Sequence, residues 1–156
     1  MNWFARLIYG ALVWRERQHA KAGRKPGKQH KPKGKNEHLR IGSRGETLAY
    51  WHLRQAGYVI VARNRRPHSK WGELDMIGWD GSTLAFIEVK TRTGNAAGPP
   101  ETVVSRRQQQ RIVRSAKGYI KQMKRKPASF RFDVAGVRWD PVAGYKVHVV
   151  KDAYQV

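Results

Sequence analysis

The sequence has no cysteine, which removes disulfides, thiolate zinc sites and thiol nucleophiles together. Histidine is sparse: the six at positions 19, 30, 38, 52, 68 and 148 show no metal-ligand spacing. There is no Gly-rich phosphate loop and no Ser-His-Asp elbow, so those two chemistries lose their usual signatures. Nor is the N-terminal apolar stretch, WFARLIYGALVW at residues 3–14, long enough to span a bilayer. It makes a poor signal peptide, because Arg15, Glu16 and Arg17 follow the apolar run where positive charge should precede it. Ala20-Lys21-Ala22 only imitates a cleavage site. A short helix is expected there, lying at an interface or packed on the domain or a partner. Acid is also scarce: residues 41–156 hold nine carboxylates against 21 Lys plus Arg.

What is present is a basic chain of 156 residues with a net charge of +21. That length gives room for one modest domain with a real core. The charge implies a polyanionic partner: DNA, RNA or an anionic membrane surface. Residues 15–40 include GRKPGKQHKPKGK and lack the apolar side chains that offset ordering entropy. A disordered electrostatic tail that adds salt-sensitive phosphate affinity is expected, with a solubilising linker as the alternative.

The folded domain is expected to run from about Ile41 to the end of the chain. Ser43-Arg44-Gly45-Glu46 matches a capping box, followed by a helical stripe of Leu48, Ala49, Trp51, His52 and Leu53 that Gly57 ends. Tyr58 to Ala62 reads as a strand, and Arg63 to His68 as a basic loop. TGNAAGPP after Arg92 reads as a flexible loop. A helix is expected over roughly 102–124, with the stripe Ile112, Val113, Ala116, Tyr119, Ile120 and Met123. One of Gln108 and Gln109 could face the site, or the helix start is simply solvated. Residues 129–139 and 145–154 read as two strands. Helix, three strands, helix, two strands makes an α/β layer domain.

Within it, GELDMIGWDGSTLAFIEVKTR (72–92) reads as a hairpin turning at Asp80-Gly81, with opposed residue numbers adding to 161. Asp75 then opposes Phe86 and Glu73 opposes Glu88. Side chains alternate faces, so Asp75, Glu88 and Lys90 project from one face, close enough for two carboxylates to share a divalent cation. Glu-x-Lys on a strand is more often an ordinary polar face. Two features argue for function. Leu84 to Val89 is almost continuously apolar, as in a strand covered on both sides. Such a strand does not carry Glu and Lys without a partner for each charge.

With Ser43-Arg44-Gly45-Glu46, Gly72-Glu73-Leu74-Asp75, Phe86-Ile87-Glu88-Val89-Lys90-Thr91-Arg92 and Arg131-Phe132-Asp133-Val134 in place, the chain resembles the YraN-like family of bacterial proteins over about residues 41–152. That family is similar to the PD-(D/E)xK nucleases, near the Holliday-junction resolvases. The resemblance implies a restriction-endonuclease-like core, a mixed central β-sheet flanked by helices, and phosphodiester cleavage dependent on Mg²⁺ or Mn²⁺. By position it implies Asp75, Glu88 and the Val89 carbonyl as metal ligands. Lys90 becomes the residue that orients or deprotonates the attacking water, and Glu46 an outer carboxylate or, equally, a plain capping glutamate. Thr91 is a further phosphate or metal-water contact. Two departures stand out: Leu74 replaces the expected Pro, and no Gln-x-x-x-Tyr motif is present, since Ile112, Val113 and Arg114 follow Gln108, Gln109 and Gln110 by four.

The expected function is a metal-dependent endonuclease acting on DNA, branched DNA included. The alternative is a non-catalytic nucleic-acid-binding protein that keeps the nuclease fold. Arg63, Arg65, Arg66, Arg92, Arg106, Arg107 and Arg111 are the expected phosphate contacts. Trp51, Trp71 and Trp79 are core residues before they are base-stacking ones. A cytoplasmic location is expected, a homodimer is reasonable for an enzyme that cuts two strands, and a membrane partner is not expected. A membrane-surface role for residues 1–40 would show as liposome binding lost on their deletion.

Overall fold

From Lys35 to Gln55 the chain forms a 21-residue helix, α1. The computed structural model describes residues 3, 7–12, 14, 35–68, 70–92, 104–140 and 144–155. α1 starts eight residues before the expected cap, because nothing between Lys35 and Ile41 breaks a helix: the segment has neither Pro nor Gly. Ser43 is therefore interior, its carbonyl accepting from Thr47 Oγ1 at 3.0 Å. Glu46 is thus a mid-helix side chain and not part of a capping box. Lys35 to Arg40, expected as disordered tail, belong to this helix, and residues 15–34 lie outside the described residues. The C-terminus follows the sequence signal. Gly57 takes φ +100°, and the Tyr58 N–H returns to the Leu53 carbonyl at 3.0 Å, a glycine-ended Schellman cap.

Five strands follow in the order β1 (Val59–Arg65), β2 (Leu74–Asp80), β3 (Thr83–Arg92), β4 (Ser129–Asp140) and β5 (Gly144–Val150), with α2 (Arg106–Gln122) between β3 and β4. They form one sheet in chain order, β1-β2-β3-β4-β5. Neighbours are antiparallel except β3 and β4, which are parallel. A parallel pair needs a crossover, and the segment bearing α2 supplies it. β1 is longer than its sequence suggested: Arg63 and Arg65 lie on this edge strand, not in a loop. Its register slips between Ile60 and Ala62, and Asn64 sits at φ +49°. The segment expected as a loop at 93–100, and residues 141–143 between the last two strands, lie outside the described residues.

The β2–β3 hairpin turns one residue later than expected. Asp80 pairs with Thr83, so the loop is Gly81-Ser82, with Gly81 at φ +60° in its first position, as a type II′ turn requires. Opposed numbers add to 163. This differs from the expected register by two, and side chains alternate with a period of two, so every residue keeps its expected face.

Each face of the sheet is covered by one helix. Leu48, Ala49 and Leu53 of α1 pack with Met76, Ala85, Ile87, Ala135 and Val137. Ile112, Val113 and Ala116 of α2 pack with Ile77, Leu84, Phe86, Phe132 and Val134 on the other side. Trp71 seats flat against α2 where Gly118 leaves room, since a Cβ there would overlap its ring, and Trp79 joins the α2 layer. The result is the expected α/β arrangement, a mixed sheet flanked by helices and compatible with a restriction-endonuclease-like core.

A candidate metal and phosphate site at the fork of β2 and β3

β3 is the strand on which the site is built. Its pairing with β4 runs unbroken from Thr83–Ser129 to Arg92–Arg138. Its pairing with β2 stops at Met76–Ile87. Beyond that point the two strands fork, and one step further the register would set Asp75 across from Glu88. In place of the next backbone bond, Asp75 Oδ2 accepts the Val89 N–H at 2.8 Å. The N–H and C=O of a strand residue point to the same side, so the Val89 carbonyl also faces the fork.

Glu88 is buried, yet its partners are in place. Lys90 Nζ donates to Glu88 Oε1 at 2.7 Å, and Gln108 Nε2 donates to the same oxygen at 2.6 Å. Gln108 lies in the first turn of α2, whose N-cap is Ser105, so the carboxylate is held from the N-terminal end of that helix. Of the two glutamines considered from sequence, Gln108 is the one that reaches the site; Gln109 folds back to the Val104 carbonyl at 3.0 Å. Asp75 Oδ1 and Glu88 Oε2 receive no hydrogen bond among the described residues.

The electrostatics separate Asp75 from its neighbours. Burial first, then the Glu88 charge, push its carboxyl from an ordinary 3.8 up to about 7. The Val89 N–H opposes that rise, Glu46 adds to it, and Lys90 opposes it. The fold has thus placed a carboxylate where its charge is poorly compensated, which makes Asp75 a candidate functional residue. Glu46 comes within electrostatic reach because α1 crosses β3 closely: a Cβ on Gly45 would overlap Thr91 Oγ1, so only glycine fits.

Among the described residues no group of three or more His, Asp or Glu side chains is arranged to hold a metal. Among the described residues the fork presents two carboxylates, each with an oxygen that receives no hydrogen bond, and one backbone carbonyl. This set fits Mg²⁺ or Mn²⁺, hard cations that take oxygen ligands, Mg²⁺ in particular keeping several waters. Glu73 does not join it. It pairs with Arg66 at 2.6 Å on the exposed surface.

The arginines proposed as phosphate contacts divide between regions. Arg106, Arg107 and Arg111 are exposed on α2, on the side of the sheet from which Gln108 reaches Glu88, and Arg111 lies beside Gly72. Arg92 ends β3, two residues beyond Lys90. Arg63 instead lies over the Tyr50 ring of α1 at 4.9 Å, and Arg65 is exposed on the edge strand. Arg66 is held by Glu73.

Sequence reasoning missed two features. On the α1 side of the sheet, fully buried Asp133 accepts from the Tyr58 hydroxyl at 2.9 Å, Arg131 at 2.8 Å and the Asp152 N–H at 3.0 Å. Arg131 also pairs with Asp80, which Lys151 joins at 2.6 Å. Those cations, Lys151 first, hold the Asp80 carboxyl below its ordinary value. This network ties β4 to the hairpin turn. Its signal was the one used for Glu88, an acid inside an apolar strand. The second is Tyr154, stacked on Phe132 at 5.2 Å, whose buried hydroxyl has no partner among the described residues. Burial and then the Glu88 charge push its phenol pKa up.

Comparison with known proteins bears on this site. The family described as "Uncharacterised protein family UPF0102" matches residues 45–137, a span holding Glu46, Asp75, Glu88 and Lys90. A UPF0102 protein of Koribacter versatilis (strain Ellin345) is 45% identical over 104 residues, covering 67% of this chain and 72% of the relative. One from Symbiobacterium thermophilum is 38% identical over 115 residues, covering 74% of this chain and 96% of the relative. A third, from Clostridium botulinum (strain Loch Maree / Type A3), is 40% identical over 118 residues, covering 74% and 94%. On the length of these matches, the chain belongs to the UPF0102 family, the YraN-like family that its motifs resembled.

Proposed function

We propose that this protein is a metal-dependent endonuclease that hydrolyses phosphodiester bonds of DNA, branched DNA included. The observation that carries the reading is the fork itself. Where the β2–β3 ladder stops, Asp75 and Glu88 each keep an oxygen with no hydrogen bond among the described residues, the Val89 carbonyl faces the same opening, and Lys90 stands beside them. Asp75, Glu88 and the Val89 carbonyl would hold Mg²⁺ or Mn²⁺, which when bound supplies a Lewis acid that polarises the phosphate and makes water a better nucleophile. Glu88, itself held by Gln108, positions the Lys90 ammonium. Lys90 orients the attacking water and stabilises charge that develops on the phosphate oxygens. Glu46 is an outer carboxylate that strengthens the negative field at Asp75. Arg106, Arg107, Arg111 and Arg92 guide the backbone of the nucleic acid toward the fork, while Arg63, Arg65 and Arg66 contact phosphates further along. On this reading the protein works in the cytoplasm, and cutting both strands of a branched substrate calls for a second copy.

A second reading has its own observation: Glu88 Oε1 is already shared by Lys90 and Gln108, an arrangement satisfied without a metal. It yields a nucleic-acid-binding protein on a nuclease fold. One assay separates the two. Purified protein is incubated with branched and linear DNA in Mg²⁺ or Mn²⁺, beside the Asp75→Ala and Lys90→Ala variants. Cleavage that needs the metal and vanishes in both variants, with DNA binding nearly unchanged, supports the enzyme. Binding without cleavage of any substrate by the wild type overturns it.

A further inference from the structure

Between β1 and β2 the chain runs back along α2 before it reaches the fork. Ser115 Oγ donates to the Gly72 carbonyl at 3.2 Å, and Gln122 Nε2 donates to the Pro67 carbonyl at 3.1 Å. The Arg111 guanidinium lies beside Gly72, and Trp71 closes against Gly118. Residues 111, 115, 118 and 122 are spaced by three and four, so they form one stripe of α2 under this connection. Those contacts already fix the indole. A second ring nevertheless lies on it: the His68 imidazole stacks on Trp71, with centroids 4.6 Å apart and planes 26° off parallel. Trp71 is only half-buried and His68 is exposed, so the imidazole is the outer layer of the stack.

The neighbouring charges indicate what such a surface takes. Arg107, Arg114 and Lys121 are exposed and spaced by seven along α2. At 3.6 residues per turn they fall within about 40° of one another, roughly 70° round the helix from the stripe under Trp71. A cationic row therefore runs parallel to the stack, and exposed Lys70 adds to it from the connection itself. Aromatic rings beside a line of cations suit an unpaired nucleotide: the base lies on the rings and the cations take the phosphates. In a continuous duplex each base is covered by its neighbours and offers no face to a protein ring. An acidic peptide suits the cations but has no need of the rings. Trp71 comes four residues before Asp75. That caps their separation at about 14 Å, a span that a few nucleotides cover. Stack and fork also share one side of the sheet, since α2 touches both through Gly118 and Gln108.

We infer that the His68–Trp71 stack is a subsite for an unpaired nucleobase, so that the DNA this protein acts on carries unpaired nucleotides close to the phosphate at the fork. The subsite stands on the stack and the cationic row; its link to a cleaved phosphate rests on the nuclease reading. The test uses the full chain in EDTA, where metal-dependent cleavage is silent, with a continuous duplex and the same duplex carrying a short gap. Replacing His68 and Trp71 together by Ala should weaken binding to the gapped DNA roughly tenfold and to the continuous duplex less than about twofold. Wild-type protein gives a second readout that needs no variant, in case the double replacement unfolds the connection. A 5-iodouracil placed in the gap should crosslink on irradiation to His68 or Trp71, located by mass spectrometry. Crosslinks confined to other residues, or equal losses on gapped and continuous DNA, would overturn the inference. Crosslinking at the stack without cleavage of gapped DNA in Mg²⁺ or Mn²⁺ would support the subsite and refute the nuclease. Metal-dependent cleavage of both DNAs alike, with no crosslink at the stack, would do the reverse.

Discussion

Replacing Asp75 by Asn should stabilise this protein above neutral pH and leave it almost unchanged in acid. The folded-state carboxyl titrates near 7, and an ordinary aspartate near 3.8. Between those values the native state binds more protons than the unfolded chain, so stability falls as pH rises through the window. Below it both states are protonated and the penalty vanishes; above it the penalty is complete. A gap of about three pH units at ~1.4 kcal/mol each bounds the loss at ~4 kcal/mol. Adjustment of Lys90 and water at the fork reduces this to ~1–3 kcal/mol. Asparagine removes the charge and keeps an oxygen for the Val89 N–H, so Asp75→Asn should gain that amount at pH 8 and less than ~0.5 kcal/mol at pH 4. Urea unfolding of both proteins at the two pH values measures the difference, and titrating groups that do not interact with Asp75 cancel between them. Saturating Mg²⁺ should stabilise the wild type alone and so narrow the gap at pH 8. A variant less stable than wild type at pH 8, or an equal effect at both pH values, would refute the reasoning about charge at the fork.

Other positions make sharper structural tests. Gly45→Ala in a helix interior ordinarily stabilises by up to ~1 kcal/mol. Here the added methyl would overlap Thr91 Oγ1, so a loss of ~1–3 kcal/mol is expected in thermal or urea unfolding. Asp133→Ala leaves Arg131 without its buried partner, and a loss of ~3–5 kcal/mol is expected by the same measurement. Gln108→Ala frees Glu88 Oε1 from one donor; cleavage should fall about tenfold with DNA affinity unchanged, read from single-turnover and binding assays.

How much of this could be read from the chain differs by element. The α2 stripe follows from periodicity, because burial of one face imposes it, and β3 from an almost continuous apolar run, because a helix covers each face of the sheet. The hairpin was displaced by one turn position, since Asp80-Gly81 and Gly81-Ser82 both favour tight turns and only cross-strand packing chooses. Parity survived because the displacement changed the register by two, so the placement of Asp75, Glu88 and Lys90 on one face did not depend on the choice. The start of α1 was misread because Ser43 and Glu46 have capping chemistry, while the preceding residues were free to continue the helix. Asp133 carried a signal, an acid inside an apolar strand, but its distant partners could not be read. Tyr58 lies 75 residues from Asp133 and Asp80 lies 51 from Arg131, and only the strand order brings them together. Gln108 was one of two candidates because its orientation depends on the exact start of α2, which Ser105 fixes.

The central claim, that Asp75 and Glu88 share a divalent cation at the fork, is tested most directly by crystals soaked in Mn²⁺. The account predicts an anomalous peak about 2.1 Å from a carboxylate oxygen of each residue, with the Val89 carbonyl in its coordination sphere. An empty fork at saturating Mn²⁺, or a peak held elsewhere, would contradict it.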